Sequence, residues 1–158
     1  MLTLEIDAIR SHLQEKGVEV SLQKETNQLC ILLKIEEVEF PLFIRIFDGG
    51  ELLQLLAFIP CNISNATASD TARLLHLLNK EVDLPGFGMD EAASVVFYRS
   101  MLPTKDKQID PSLMDAYINA TELVCKTFAP VITAVAQGAI TFAEVLKKAK
   151  ENQSTPQS

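Results

Sequence analysis

A chain of 158 residues with 47% hydrophobic and 22% charged side chains can bury a core without disulfide or metal staples. Its net charge of −7 repels phosphate backbones and anionic lipid, so both are poor general partners, with Lys147, Lys148 and Lys150 the only basic cluster. Three widely spaced cysteines, Cys30, Cys61 and Cys125, are odd in number and form no disulfide framework; a reducing, cytoplasmic compartment fits them best.

The N-terminus carries Glu5 and Asp7 where a secretory leader needs basic residues and then an apolar run, so no leader is expected. No stretch is long and apolar enough to read as a membrane span. The nearest, Phe128 to Leu146, is interrupted by Pro130, Gln137, Gly138 and Glu144.

In chain order, residues 3–16 read as a helix, with Ile6, Ile9 and Leu13 at helical spacing and Gly17 as its left-handed cap. The period then changes to two over Val18, Val20 and Leu22, which predicts a half-buried strand. Leu29 to Ile35 predicts a more central strand, and Val38 to Phe47 a third, with Pro41 marking an edge or bulge. Asp48-Gly49-Gly50 is the strongest turn signal in the chain. Glu51 to Ile59 reads as strand, since a turn precedes it and Pro60 follows it.

Cys61 to Ser69 predicts a loop into a helix capped by Ser69 or Asp70. Leu74, Leu75, Leu77 and Leu78 give that helix a broad apolar face, expected to lie across the sheet. Phe87–Met89 and Ala93–Met101 predict a hairpin around Asp90 and Glu91, and Thr104 to Gln108 a solvated loop. Asp110-Pro111 is a helix start. Leu113, Tyr117, Ala120 and Val124 are its expected buried stripe, and Pro130 is expected to kink or split it near Phe128. Gly138 breaks the pattern again. Thr141 to Glu144 has capping-box spacing and opens a last helix.

No catalytic or metal site emerges. His12 and His76 each lack a second ligand at helical spacing, whereas catalytic zinc needs three protein ligands and structural zinc four. Cys61 follows a predicted strand end, but a cysteine nucleophile needs an oriented base, and His76 is the only candidate nearby in sequence. The two glycine-bearing turns are too short to cradle a phosphate. No cofactor is therefore expected. One feature points to binding. Predicted strands three and four are apolar at more than one face, including Phe40, Leu42, Ile44, Leu53 and Leu55. These five are the expected protein-binding or homodimer surface, unless additional helix covers them.

The Leu-rich helix ending near Asn79, the loop with Gly86-Phe87, the strand Val95-Val96-Phe97-Tyr98 followed by Met101-Leu102, and the helix carrying Leu113, Tyr117 and Val124 together resemble the YbjN family of bacterial sensory transduction regulators. That family shares the fold of type III secretion chaperones of the Tir-chaperone type. The resemblance implies an α+β fold, an antiparallel sheet flanked by helices in the order α-ββββ-α-ββ-α-α. It also implies a cytosolic protein that binds other proteins and often dimerises, with no catalytic residues to carry over. The expected organisation is a single domain over 1–151 with a disordered polar tail over 152–158. The expected function is a non-enzymatic, chaperone- or adaptor-like protein-binding module. The alternative is a regulator holding a small ligand between the sheet and the C-terminal helices.

Overall fold

Six strands in the order β2-β3-β4-β5-β7-β6 form the main antiparallel sheet of a computed structural model that describes residues 1–154. They are β2 (Ser21–Gln23), β3 (Gln28–Ile35), β4 (Val38–Phe47), β5 (Leu52–Ile59), β6 (Phe87–Asp90) and β7 (Val95–Pro103). Two short strands, β1 (Leu2–Thr3) and β8 (Gln108–Ile109), pair with each other apart from it. Four helices are described: α1 (Ile6–Glu15), α2 (Ala68–Glu81), α3 (Pro111–Ala136) and α4 (Phe142–Ser154). The fold is α+β, as expected from the sequence.

The chain gathers into two compact units, residues 1–59 with 97–127 and residues 60–96 with 128 onward. In the first unit, the register Leu29↔Ile44, Ile31↔Leu42 and Leu33↔Phe40 continues across β4 and β5 as Leu42↔Ala57 and Ile44↔Leu55. Because side chains alternate along a strand, these residues all point to one face. They are buried, together with Ile9 and Leu13 of α1 and Met114, Thr121 and Cys125 of α3. Burying one such aliphatic side chain contributes roughly 1.5–3 kcal/mol.

The α3 stripe lies one residue further along than the sequence reading placed it. Met114, Thr121 and Cys125 are buried, whereas Leu113 is 47% exposed. A threonine in the stripe hid the true phase. Thr121 is tolerated inside because its Oγ1 donates to the Tyr117 carbonyl at 2.8 Å. Nor is α3 split near Phe128: Pro130 lies within one continuous helix, at an exposed position.

Other boundaries moved too. The first helix starts at Ile6, because Leu2 and Thr3 are taken by β1. The predicted strand from Val18 shrinks to Ser21–Gln23. The expected loop at 104–108 contains the start of β8. Asp48 to Gly50 forms a tight 3-10 turn, in which Gly50 has φ +103° and a Cβ there would meet Lys107 Cβ at 3.3 Å. Thr104 Oγ1 donates to the Gly50 carbonyl at 2.7 Å, which holds the turn against that loop.

In the second unit, α2 lies against β6 and α4, and its Leu74, Leu75 and Leu78 are buried. It begins at Ala68, earlier than expected, and Asp70 does not cap it. The Asp70 carboxylate instead accepts from the Phe142 N–H at 3.0 Å, serving the start of α4. The capping box of α4 is present: Glu144 N–H donates to Thr141 Oγ1 and Thr141 N–H to Glu144 Oε2, both at 3.1 Å. Residues 152–154, expected in a disordered tail, continue α4. The rest of that expected tail lies outside the described residues. Asn79, read from sequence as a helix end, has a different part. Its Oδ1 accepts from the N–H groups of Gly86 and Phe87 at 3.1 and 2.9 Å, and its Nδ2 donates to the Phe87 carbonyl at 2.9 Å. One side chain thus fixes the loop that enters β6.

Candidate protein-binding site

The five residues expected to form a binding surface are core residues. Phe40, Leu42, Ile44, Leu53 and Leu55 are at most 4% exposed. They share the inner face with Ile31 and Leu33 and pack in the first unit's core. The open face of the sheet is the opposite one, set by the alternate residues. Lys34 lies opposite Glu39 there, Cys30 opposite Phe43, Phe43 opposite Leu56, and Arg45 opposite Gln54. Phe43 and Phe58 meet edge to face at 5.7 Å. Leu32 is 50% exposed and Met101 43%, while Phe43, Leu56, Phe58 and Phe97 are half-buried. The sequence held a signal for this parity. Lys34, Glu39, Arg45 and Gln54 are the polar positions of their strands, and all four fall on one face.

A second feature lies at the sheet's border. β2 pairs with β3 only through Ser21↔Cys30, Leu22↔Leu29 and Gln23↔Gln28. Beyond Cys30, β3 runs on to Ile35 with no strand beside it on that side among the described residues. The chain from Gly17 to Val20 diverges from it instead. Between them opens a cleft of about 310 Å³, lined by Leu13, Val18, Ile31, Leu33 and Ile118, with Lys16, Asp115, Asn119 and Glu122 among its polar lining. Sequence reasoning missed this edge because it assigned a strand to Val18–Gln23, long enough to cover β3.

Asp115 anchors the polar side of the cleft. Its carboxylate accepts from His12 Nε2 at 3.0 and 3.1 Å and from Lys16 Nζ at 2.6 Å, which ties α3 to α1. Burial alone would raise the Asp115 pKa, but the hydrogen bonds and charges of Lys16 and His12 outweigh it and hold it below the ordinary carboxylate value. A depressed carboxylate stabilises the fold above its unfolded pKa, and that contribution is lost as pH falls through the lower folded value. The contribution is therefore complete above about pH 5, declines as pH falls through about 3.9, and is gone only below the lower folded value. In a titration of the Asp115 carboxyl followed by NMR, Lys16→Ala should move the midpoint up toward the ordinary value. An unchanged midpoint would show that Lys16 does not set it.

Burial pushes Cys30 and Cys61 up, and Cys125 up to about 12, whereas a reactive cysteine needs its pKa lowered. His76 is exposed on α2, with no hydrogen bond from it to Cys61 among the described residues. Among the described residues no three His, Cys, Asp or Glu side chains are grouped so as to hold a metal ion, and no helix is long and apolar enough to cross a membrane.

An antiparallel sheet with one packed face, one half-open face and an edge strand beside a cleft is a fold of the α+β class. A family model described as "YbjN: Putative bacterial sensory transduction regulator" matches residues 5–134, and the chain belongs to the YbjN family. No curated protein matches it. Its fold is similar to the crystal structure of YbjN from E. coli, described as "a putative transcription regulator". The TM-score is 0.63 at 11% identity, over 88% of this chain and 96% of that one. At that identity the likeness shows the fold.

Proposed function

We propose that this chain is a non-enzymatic, adaptor- or chaperone-like regulator that holds an extended segment of a protein partner along the open edge of β3. The observation that carries this is the unpaired run Ile31–Ile35 beside the apolar cleft. Strand edges present outward N–H and C=O groups, and a peptide that adds as a new strand satisfies them. Its side chains would alternate between the cleft over Ile31 and Leu33 and the outer face beside Leu32. The main-chain bonds supply affinity without sequence, and the cleft selects an aliphatic residue at every second position. The three cysteines are unpaired, which fits the cytoplasm as the site of action.

A peptide library selected on the full chain tests the reading. The expected result is enrichment of segments with alternating aliphatic residues. Val18 and Ile118 are half-buried cleft residues on separate elements, so Ile118→Glu should spare the fold. It should weaken such peptides by roughly tenfold or more, because a carboxylate then faces the buried aliphatic side chain. Selected peptides without alternation, or with equal affinity for Ile118→Glu, would refute it.

The cleft also supports the small-ligand reading. Its volume of about 310 Å³ sits at the lower end of the range for ligand pockets, and Asp115 and Lys16 place charge on its lining. A metabolite that stabilises the protein in a thermal-shift screen, and fails to do so with Ile118→Glu, would favour this second reading.

A further inference from the structure

We propose that the outer face of the sheet is a second docking surface, and that it seats an amphipathic helix whose apolar stripe is bordered by carboxylates. It is separate from the β3 edge, and its occupant is recognised by side chains and not by strand pairing.

The apolar part of the surface is laid down by Leu32, Phe43, Leu56, Phe58 and Phe97, all half-buried or exposed. A half-bare sheet face of this kind is normally completed by another layer of secondary structure. Charge says which occupant fits. The chain carries −7, yet this face holds two guanidiniums. Arg45 lies 4.6 Å above the Phe47 ring and Arg99 5.6 Å from the Phe97 ring. Lys34 has Glu39 opposite it on the neighbouring strand. Among the described residues no carboxylate forms an ion pair with Arg45 or Arg99.

Arginine beside aromatic rings is the composition that dominates binding energy at protein interfaces. Each ring holds its guanidinium close to the apolar surface, where a carboxylate from above could take it. A second copy fits less well. Face-to-face pairing about a two-fold axis presents the same surface to itself, so both partners bring Arg45 and Arg99, while Glu39 of this face already lies opposite Lys34. A helix with glutamates along the borders of a leucine stripe supplies both missing parts.

The test uses the full chain and two labelled model helices of about 18 residues, roughly 27 Å long. Both carry the same leucine stripe; one has glutamate borders and the other lysine borders. Binding is followed by fluorescence anisotropy at about 0.05 M and about 0.5 M salt. The glutamate helix should bind roughly tenfold more tightly at low salt, as expected of two modest charge pairs, and the difference should shrink at high salt. Arg45→Glu combined with Arg99→Glu should reverse the preference, and Phe58→Ala should weaken both helices. Ile118→Glu, on α3 in the cleft beside the β3 edge, should change neither, so this surface and the proposed edge site can fail separately. Equal binding of the two helices, or a preference that survives the double charge reversal, overturns the proposal. So does a chain that dimerises in sedimentation and becomes monomeric with Phe43→Asp, since the face then belongs to a second copy.

Discussion

Leu42→Ala should remove about 3–4 kcal/mol of stability in urea unfolding, whereas Phe43→Ala, its neighbour on β4, should remove only about 1 kcal/mol. Leu42 is fully buried between Ile31 on β3 and Ala57 on β5, so truncation leaves a cavity as well as losing transfer energy. Phe43 is half-buried on the other face, where water fills the space it vacates and the main loss is its edge contact with Phe58. The pair measures which face of the sheet is packed. Equal costs would mean that both faces are packed, and would remove the basis for an open surface.

Asn79→Ala should cost about 2–3 kcal/mol, because three hydrogen bonds to the backbone of Gly86 and Phe87 disappear together at a net worth of about 1 kcal/mol each. Asn79→Asp is an informative companion. It retains the acceptor for the two N–H groups but replaces the donor with a carboxylate oxygen facing the Phe87 carbonyl. The aspartate should therefore not restore stability. Amide exchange at Gly86 and Phe87 should quicken in both variants, and full protection in either would place the hold on this loop elsewhere.

The strands and turns were legible because their signals are local. Asp48-Gly49-Gly50, Asp110-Pro111 and the Thr141 capping box each act within a few residues, and each appears where the pattern places it. What was not legible depends on distant partners. Leu2 pairs with Ile109, and nothing near either residue marks it. The buried stripe of α3 includes Thr121, a polar residue whose hydroxyl is satisfied within its own helix, and so differs in phase from the stripe of Leu113, Tyr117, Ala120 and Val124. The most consequential error concerned the sheet. Phe40, Leu42, Ile44, Leu53 and Leu55 were expected at a partner surface, and they form the core. Apolar residues on both parities of β4 and β5 obscured the choice, although Arg45 and Gln54 already showed which side meets water.

The candidate site was the least legible part. An unpaired edge exists only because β2 begins at Ser21, opposite Cys30, while β3 continues to Ile35, and a strand's pairing length depends on where the neighbouring chain joins it. The alternating pattern from Val18 suggests a longer β2. The chain instead joins the sheet only at Ser21, since Val18 N–H donates back to the Leu13 carbonyl of α1 at 3.0 Å. That bond commits Gly17 and Val18 to closing the helix, and the cleft opens beside them.

Amide hydrogen exchange on the full chain, with and without a peptide selected for binding, tests the central claim most directly. Strand addition predicts slowed exchange within Ile31–Ile35, at alternate residues, while the β4 amides that already face β3 and β5 stay as they were. A peptide that binds tightly but leaves Ile31–Ile35 exchanging at the free rate would contradict the account.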